Sequence, residues 1–236
     1  MHIWTQVWEL MQSSWVAMLI TAVAAYLLGS VNTAIIVTGI YSDKDIRHCG
    51  SGNAGATNVL RTIGKLPALI TVLGDLAKSF LAVFLGQLLM MSLSNGDYSP
   101  DMLRVVGWYL AGLFCILGHL YPVYFNFRGG KGVVALLGME LILDWRIALI
   151  SLGVFIIIVA LTRFVSLGAL VAALGSVGLT YVFRRFVDGD GEATEMAAFC
   201  TVLLGVSVLL VVLKHIPNIG RLLTGKESKL SFKRSK

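Results

Sequence analysis

The chain has 236 residues, of which 57% are hydrophobic and only 14% are charged, and its mean hydropathy is +0.82. These values exclude a soluble globular protein. They are typical of a polytopic membrane protein, here a single domain over residues 1–236, and we expect no nucleic acid among its partners although the net charge is +6.

Six apolar segments are long enough to cross a bilayer, which takes about 20 residues of helix. They are residues 15–40, 66–93, 103–120, 147–161, 165–183 and 197–213. A seventh segment, 133–143, is shorter, but without it the glycine-rich and basic loops would fall on opposite sides of the membrane. We therefore predict an all-α integral membrane protein with seven transmembrane helices.

Lysine and arginine are concentrated in alternate loops. Cytoplasmic loops carry an excess of these residues, and the stretches 41–65, 121–132, 162–164 and 214–236 together hold 14 of the 19. This distribution predicts an external N-terminus and a cytoplasmic C-terminus. The first apolar segment has neither a basic leader nor a small-residue cleavage site, so it is predicted to be a retained helix.

The first polar loop, residues 50–61, is rich in glycine. Gly50, Gly52 and Gly55 satisfy the G-x-G-x-x-G spacing, but they follow a membrane-length apolar segment instead of a strand, so a dinucleotide fold is rejected. Glycines still let backbone N–H groups surround a phosphate. The loop adds side chains that bind anions: Ser51, Asn53, Thr57, Asn58 and Arg61.

The second and third polar loops, 118–132 and 214–227, carry the same kind of residue. Gly129, Gly130 and Gly132 surround Lys131, although Phe125 and Gly132 stand where a Walker A loop needs Gly and Ser or Thr. The third loop contains His215, Asn218 and Arg221. Because all three loops fall on the predicted cytoplasmic face, we predict that they form one phosphate-binding site.

Other polar residues are given structural interpretations. Asp75 and Lys78 lie three positions apart in the second segment and are predicted to neutralise each other, while the alternative is a polar wall of an active cavity. The three cysteines, Cys49, Cys115 and Cys200, form no ligand cluster and are interpreted as packing residues. No metal and no other cofactor is therefore expected.

Two charged stretches are predicted to lie outside the site. Arg184 and Arg185, with the acidic stretch 188–195, are typical of a solvated external loop. The basic tail after Lys226 is predicted to lie against anionic lipid headgroups.

In order, the three loops resemble the signature motifs of the acyl-phosphate:glycerol-3-phosphate acyltransferase (PlsY) family. The matching residues are Gly50-Ser-Gly-Asn-x-Gly-Ala-Thr-Asn-x-x-Arg61, Gly118-His-x-x-Pro-x-x-x-x-Phe-x-Gly-Gly-Lys-Gly132 and His215-x-x-Asn-Ile-x-Arg-Leu-x-x-Gly-x-Glu227. Ala54 and Ser79 depart from it, standing where the family often has Pro and Gly. The resemblance covers most of the chain and implies seven transmembrane helices in a bacterial inner membrane.

The resemblance also implies a reaction and its residues. A fatty acyl group passes from acyl phosphate to the sn-1 hydroxyl of glycerol 3-phosphate, giving lysophosphatidic acid and phosphate, with membrane lipids and the soluble enzyme that makes acyl phosphate as further partners.

The residues implied to hold phosphate are Ser51, Asn53, Thr57, Asn58 and Arg61, with Ser166 as a weaker candidate. Those for acyl phosphate are Gly129, Gly130, Lys131 and Gly132. His215 and Asn218 would hold glycerol 3-phosphate, Glu227 would tie down the third loop, and the catalytic set is Ser51, Arg61, His215 and Asn218.

The chemistry of such substrates favours direct transfer. An acyl phosphate is already activated, so orientation and charge stabilisation matter more than a protein nucleophile. No histidine has an aspartate five residues later, so the H-x-x-x-x-D signature of other glycerolipid acyltransferases is absent. The hydroxyl proton would pass to the departing phosphate or to His215.

Two other functions are compatible with parts of this pattern. A transporter for a phosphorylated metabolite would also use basic glycine loops, but it predicts internal repeats with broken helices near the midplane, and no convincing repeat is found. A scaffold for lipid-synthesis enzymes would not need three separate anion-binding loops.

Overall fold

The computed structural model describes residues 3–188 and 193–230, and over these ranges the chain is helical without a β-strand. The helices are α1 (Ile3–Ser13), α2 (Trp15–Ser30), α3 (Thr33–Tyr41), α4 (Ala56–Thr62), α5 (Lys65–Leu93), α6 (Pro100–Leu120), α7 (Val133–Leu143), α8 (Trp145–Thr162), α9 (Val165–Val182), α10 (Ala193–Lys214) and α11 (Ile216–Leu223). The predicted all-α class is confirmed. Part of the predicted external loop, 189–192, and the end of the basic tail, 231–236, lie outside the described residues.

Six stretches of the described chain are long and apolar enough to cross a membrane. They are Trp15–Tyr41, Lys65–Leu93, Pro100–Phe125, Trp145–Thr162, Val165–Val187 and Glu195–Lys214. The seventh predicted segment is the apolar helix α7, which has the predicted bounds but only 11 residues. Many large apolar side chains are exposed on the outer faces of these helices, as expected where lipid is the solvent.

The first predicted span is not continuous, which corrects the sequence prediction of one uninterrupted helix. The chain breaks at Val31 and Asn32, between α2 and α3. Asn32 caps α3, because its Oδ1 accepts a hydrogen bond of 3.1 Å from the backbone N–H of Ile35. The carbonyl of Val31, freed by the break, accepts a hydrogen bond from Lys78 Nζ at 2.8 Å.

Helix α6 packs closely against α2 and α5. A Cβ added at Gly29 of α2 would lie 2.1 Å from the carbonyl oxygen of Cys115 on α6, and one added at Gly107 would lie 2.6 Å from the carbonyl oxygen of Gly86 on α5. Small residues allow this backbone approach, as is common between membrane helices. The close packing holds the C-terminal end of α6, which leads into the second loop, against the break in the first span.

Candidate active site

The three polar loops meet at one end of the helices around a cavity of about 590 Å³. Most of the residues predicted for the site line it. They are Ser51, Asn53, Thr57, Asn58, Arg61, Asp75, Lys131, Gly132, Ser166, His215, Asn218 and Glu227. Gly129, Gly130 and Lys78 are not among the lining residues. The fold thus brings the three sequence motifs together.

Asn58 holds the first loop in shape. Its Oδ1 accepts a hydrogen bond from the backbone N–H of Ser51 at 3.0 Å, and its Nδ2 donates to the carbonyls of Ile46, Cys49 and Asn53. Both polar atoms of the buried amide are therefore used inside the loop. This differs from the expectation that Asn58 contacts phosphate, because a pattern of polar residues does not show which of them the loop itself needs.

Arg61 offers a guanidinium to the cavity. In the described ranges no carboxylate or other acceptor lies within hydrogen-bonding or ion-pair distance of it, although it lines the cavity. Arg47, just before this loop, behaves differently, since it pairs with Asp45 and donates from Nη1 to the carbonyl of Phe125 at 2.8 Å. Arg47 therefore ties the segment before the first loop to the second loop, and the guanidinium of Arg61 has no such partner in the described chain.

Gly129 and Gly130 are packing residues in this structure. A Cβ at Gly129 would lie 2.0 Å from the carbonyl oxygen of His119, and one at Gly130 would lie 2.3 Å from His119 Nε2 and 2.6 Å from the carbonyl oxygen of Ala54. The N–H of Gly130 donates to the carbonyl of His119 at 3.1 Å. These two glycines therefore let the second loop approach α6 and the first loop, and their contact with acyl phosphate stays a prediction.

The second and third loops are joined by a hydrogen-bonded chain. Lys131 Nζ donates to Asn218 Oδ1, and Asn218 Nδ2 donates to Glu227 at 2.6 Å. Glu227 also accepts from Ser166 at 2.7 Å and pairs with Arg221 at 2.7 Å. Burial tends to raise the pKa of Glu227, but these donors outweigh it and lower that pKa. Glu227 is therefore a charged anchor for the third loop.

Lys131 is half-buried, and this affects its charge. Burial lowers the pKa of Lys131 from 10.5 to about 8, with the negative charge of Glu227 opposing the shift and the positive charge of Arg221 adding to it. Its ammonium group is therefore sensitive to mildly alkaline pH, while a bound phosphate would stabilise the charged form.

His215 presents a fixed face to the cavity. Its Nδ1 lies 2.8 Å from the carbonyl oxygen of Val211, so Nδ1 carries a proton and donates, and Nε2 of the neutral ring is an acceptor. Burial, with a contribution from Lys131, lowers the pKa of His215 below its usual 6.5. At neutral pH this histidine is therefore an uncharged hydrogen-bond acceptor that lines the cavity.

Asp75 and Lys78 form an ion pair of 2.9 Å below the loops, and Asp75 also lines the cavity. The pair thus has features of both sequence interpretations, neutralisation and a polar wall. Thr33 Oγ1 donates to Asp75 at 3.2 Å, and Lys78 Nζ lies 2.9 Å from His119 Nδ1. His119 stands in the second motif, but nothing in the local sequence distinguishes it from a packing residue, and its contact with Lys78 is visible only in the fold.

The cavity combines cations with an apolar side. Its positively charged residues are Arg61, Lys131, Lys214 and Arg221. Val133, Phe155, Val165 and Ala169 line the part next to α7, α8 and α9. Among the described residues no three His, Cys, Asp or Glu side chains are placed to hold a metal ion. The cavity therefore suits anionic groups joined to an apolar tail.

Comparison with known proteins shows the family. Residues 19–225 match the family model described as glycerol-3-phosphate acyltransferase. A glycerol-3-phosphate acyltransferase of Prochlorococcus marinus (strain MIT 9215) is 39% identical over 208 residues, which cover 88% of this chain and 95% of that protein. One of Ralstonia nicotianae is 40% identical over 222 residues, covering 94% and 98%.

Solved structures agree with the sequence comparison. The crystal structure of PlsY, an integral membrane glycerol 3-phosphate acyltransferase, in its glycerol 3-phosphate form is similar with a TM-score of 0.74 and 30% identity, covering 91% of this chain and 96% of that one. Its lysophosphatidic acid form gives a TM-score of 0.72 and 29% identity over the same shares. With the family model, the curated relatives and the fold in agreement, the chain is an acyltransferase that belongs to the glycerol-3-phosphate acyltransferase family.

Proposed function

We propose that this chain transfers a fatty acyl group from acyl phosphate to the sn-1 hydroxyl of glycerol 3-phosphate, releasing lysophosphatidic acid and phosphate. The observation that carries the proposal is the cavity, where cations from three loops share one space with an apolar wall. The PlsY structures, one in a glycerol 3-phosphate form and one in a lysophosphatidic acid form, support the acceptor and the product.

In the proposed reaction the hydroxyl oxygen attacks the acyl carbon directly. The new ester C–O bond forms as the bond from acyl carbon to phosphate oxygen breaks, and phosphate leaves with the electron pair. Arg61 and Lys131 hold the phosphate groups, and His215 Nε2 accepts a hydrogen bond from the attacking hydroxyl. The proton passes to the departing phosphate, because that oxygen gains charge at the reacting centre.

The transporter alternative is less well supported. A break in the first span is a feature that transporter helices share, but a repeat-based transporter requires a matching break in a second span. In the part of the chain that the structure describes, α5, α6, α8 and α10 run without one. The cations also gather at one end of the helices, away from a central transport path.

An assay of the purified protein tests the proposal. Labelled glycerol 3-phosphate is incubated with palmitoyl phosphate or palmitoyl-coenzyme A in EDTA, and lysophosphatidic acid and phosphate are counted. We expect lysophosphatidic acid and phosphate in equal amounts from palmitoyl phosphate, because each acyl transfer releases one phosphate. We expect this activity in EDTA, because the proposed reaction uses no metal. Product from the thioester alone, or activity that EDTA abolishes and one divalent metal restores, would contradict the proposal.

We propose seven transmembrane helices in a bacterial inner membrane, with the N-terminus outside and the C-terminus inside. In this topology the three polar loops lie on the cytoplasmic side, where a soluble enzyme would supply acyl phosphate. Single cysteines at Ser51, Arg128 or Ser228 in a cysteine-free background should react with an impermeant maleimide only from inside. A cysteine at Asp97, exposed between α5 and α6, should react only from outside. Labelling of Ser51 and Arg128 from opposite sides would contradict a shared site.

The rate should fall in alkaline solution because Lys131 loses its proton. The free enzyme has a Lys131 pKa of about 8, so kcat/KM for acyl phosphate should decline above that pH, by up to about tenfold per pH unit. Lys131→Arg keeps its charge at these pH values, so its profile should lack this decline. An equal decline in the arginine variant would show that another group titrates.

A further inference from the structure

His119 is a buried polar residue of the cavity that the proposed reaction does not use. It lies at the C-terminal end of α6, where its ring lines the cavity. Its backbone carbonyl accepts a hydrogen bond of 3.1 Å from the N–H of Gly130. Its ring Nδ1 lies 2.9 Å from Lys78 Nζ. The ring is therefore held between the intramembrane lysine and the glycine loop.

The contacts of Lys78 decide which ring nitrogen carries the proton. A lysine ammonium has three protons and no acceptor, and the acceptors around this one are Asp75 Oδ1 at 2.9 Å, the Val31 carbonyl at 2.8 Å and His119 Nδ1 at 2.9 Å. A proton on Nδ1 would point at the ammonium protons. Nδ1 is therefore the acceptor, and the neutral ring carries its proton on Nε2.

The protonated Nε2 has no acceptor within hydrogen-bonding distance among residues 3–188 and 193–230. It lies beside Gly130, where an added Cβ would be only 2.3 Å away. Nε2 does not belong to the fully buried side-chain atoms that lack a partner, so it is open to the cavity and free to donate there. Here the available partner is a molecule in the cavity that the ring lines.

We propose that His119 is a catalytic hydrogen-bond donor, whose neutral Nε2–H binds the acyl oxygen of acyl phosphate as negative charge develops on it. This inference rests on the proposed function. The cations of the cavity suit the phosphates, which are charged before and after the reaction, whereas a fixed neutral donor acts most where charge appears only in the transition state. The break in the first span thereby gains a chemical role, since the Val31 carbonyl orients Lys78, and Lys78 fixes the tautomer of His119.

The position of the His119 ring gives a second reason why residue 130 is a glycine. A methyl group there would displace the imidazole from its place beside the loop. The spacing of Gly130 and His119 in the second motif is thus explained by the position of the donor as well as by the close packing of the loop.

Two substitutions separate the donor from its structural surroundings. In His119→Gln the terminal amide nitrogen occupies the place of Nε2 and can donate. In His119→Asn the shorter amide can still accept a hydrogen bond from Lys78, but it has no donor at the place of Nε2. We expect His119→Asn to lower kcat by about a hundredfold with little change in KM. We expect His119→Gln to keep most of the wild-type kcat.

Four outcomes would overturn the proposal. Equal loss in both variants would indicate a structural role, as would a fall in thermal stability that matches the fall in kcat. A higher KM for acyl phosphate with unchanged kcat would place Nε2 on a ground-state phosphate. A ¹⁵N NMR spectrum of histidine-labelled protein, assigned by difference with His119→Gln, should show a proton on Nε2. A proton on Nδ1 would overturn the proposed role of His119 whether or not the wild-type protein uses palmitoyl phosphate. Failure of the wild-type protein to acylate glycerol 3-phosphate would count against the proposed function instead.

Discussion

Replacing Arg61 with alanine is expected to lower kcat by roughly a hundredfold or more. The guanidinium lines the cavity without a protein partner in the described chain, whereas Lys131 and Arg221 are held by Asn218 and Glu227. An unpaired cation that lines the cavity can interact with a phosphate that gains charge as it leaves. Its removal should therefore affect the transition state more than the bound ground state, and KM should change less than kcat.

Two control variants sharpen this prediction. Arg61→Lys keeps the charge but loses the two-pronged fork, so it should recover only part of the activity. Arg128→Ala removes an exposed cation of the second loop that does not line the cavity, and it should leave kcat within about twofold, since most surface substitutions are nearly neutral. Equal loss in Arg61→Ala and Arg128→Ala would mean that general positive charge, and no specific contact, supports the reaction.

Replacing His215 with alanine should raise KM for glycerol 3-phosphate and lower kcat by less than about a hundredfold, since a general base is worth about 10²–10⁴. Nδ1 of this ring is occupied by the Val211 carbonyl, and Nε2 is free to accept from the attacking hydroxyl. The nearby Lys131 opposes a second positive charge and contributes to the lowered pKa of His215. The ring is therefore better placed to orient the hydroxyl than to take its proton.

A different outcome would identify His215 as the base that takes the hydroxyl proton. A loss of kcat well beyond a hundredfold, with KM for glycerol 3-phosphate unchanged, would assign His215 as the general base. His215→Gln provides the matched test, because its amide can orient a hydroxyl but cannot accept a proton. Retained activity in the glutamine variant would favour orientation, and a loss as large as in the alanine variant would favour proton transfer.

Sequence patterns predict the membrane helices well where their limits are local. Helix α7 has the predicted bounds because Gly132 precedes the apolar run and Asp144 follows it. Asp144 then caps α8, since its Oδ1 accepts a hydrogen bond from the N–H of Arg146 at 3.0 Å. The break at Asn32 was not predictable in the same way. One asparagine in an apolar run is compatible with a continuous helix, and the partner of the freed Val31 carbonyl is Lys78, 47 residues along the chain.

The same distinction applies to the site. The three loops were predicted to meet because charge placed them on one face, and the cavity contains residues of all three. The tasks of individual residues were harder to predict. Glycines beside a lysine are equally typical of an anion-binding loop and of close backbone packing, and only the fold shows that Gly129 and Gly130 pack against the His119 backbone and ring. An asparagine in a polar loop likewise does not reveal whether its amide serves a ligand or, as with Asn58, the loop itself.

The claim that both substrates meet in one cavity, and that the acyl group passes directly between them, is tested most directly by two-substrate initial-rate kinetics. Rates are measured over a matrix of palmitoyl phosphate and glycerol 3-phosphate concentrations, with a parallel search for acylated protein by mass spectrometry. Direct transfer predicts double-reciprocal lines that intersect and no acyl adduct on the protein. Parallel lines, together with an acyl group recovered on Ser51, would show a covalent intermediate and contradict direct transfer.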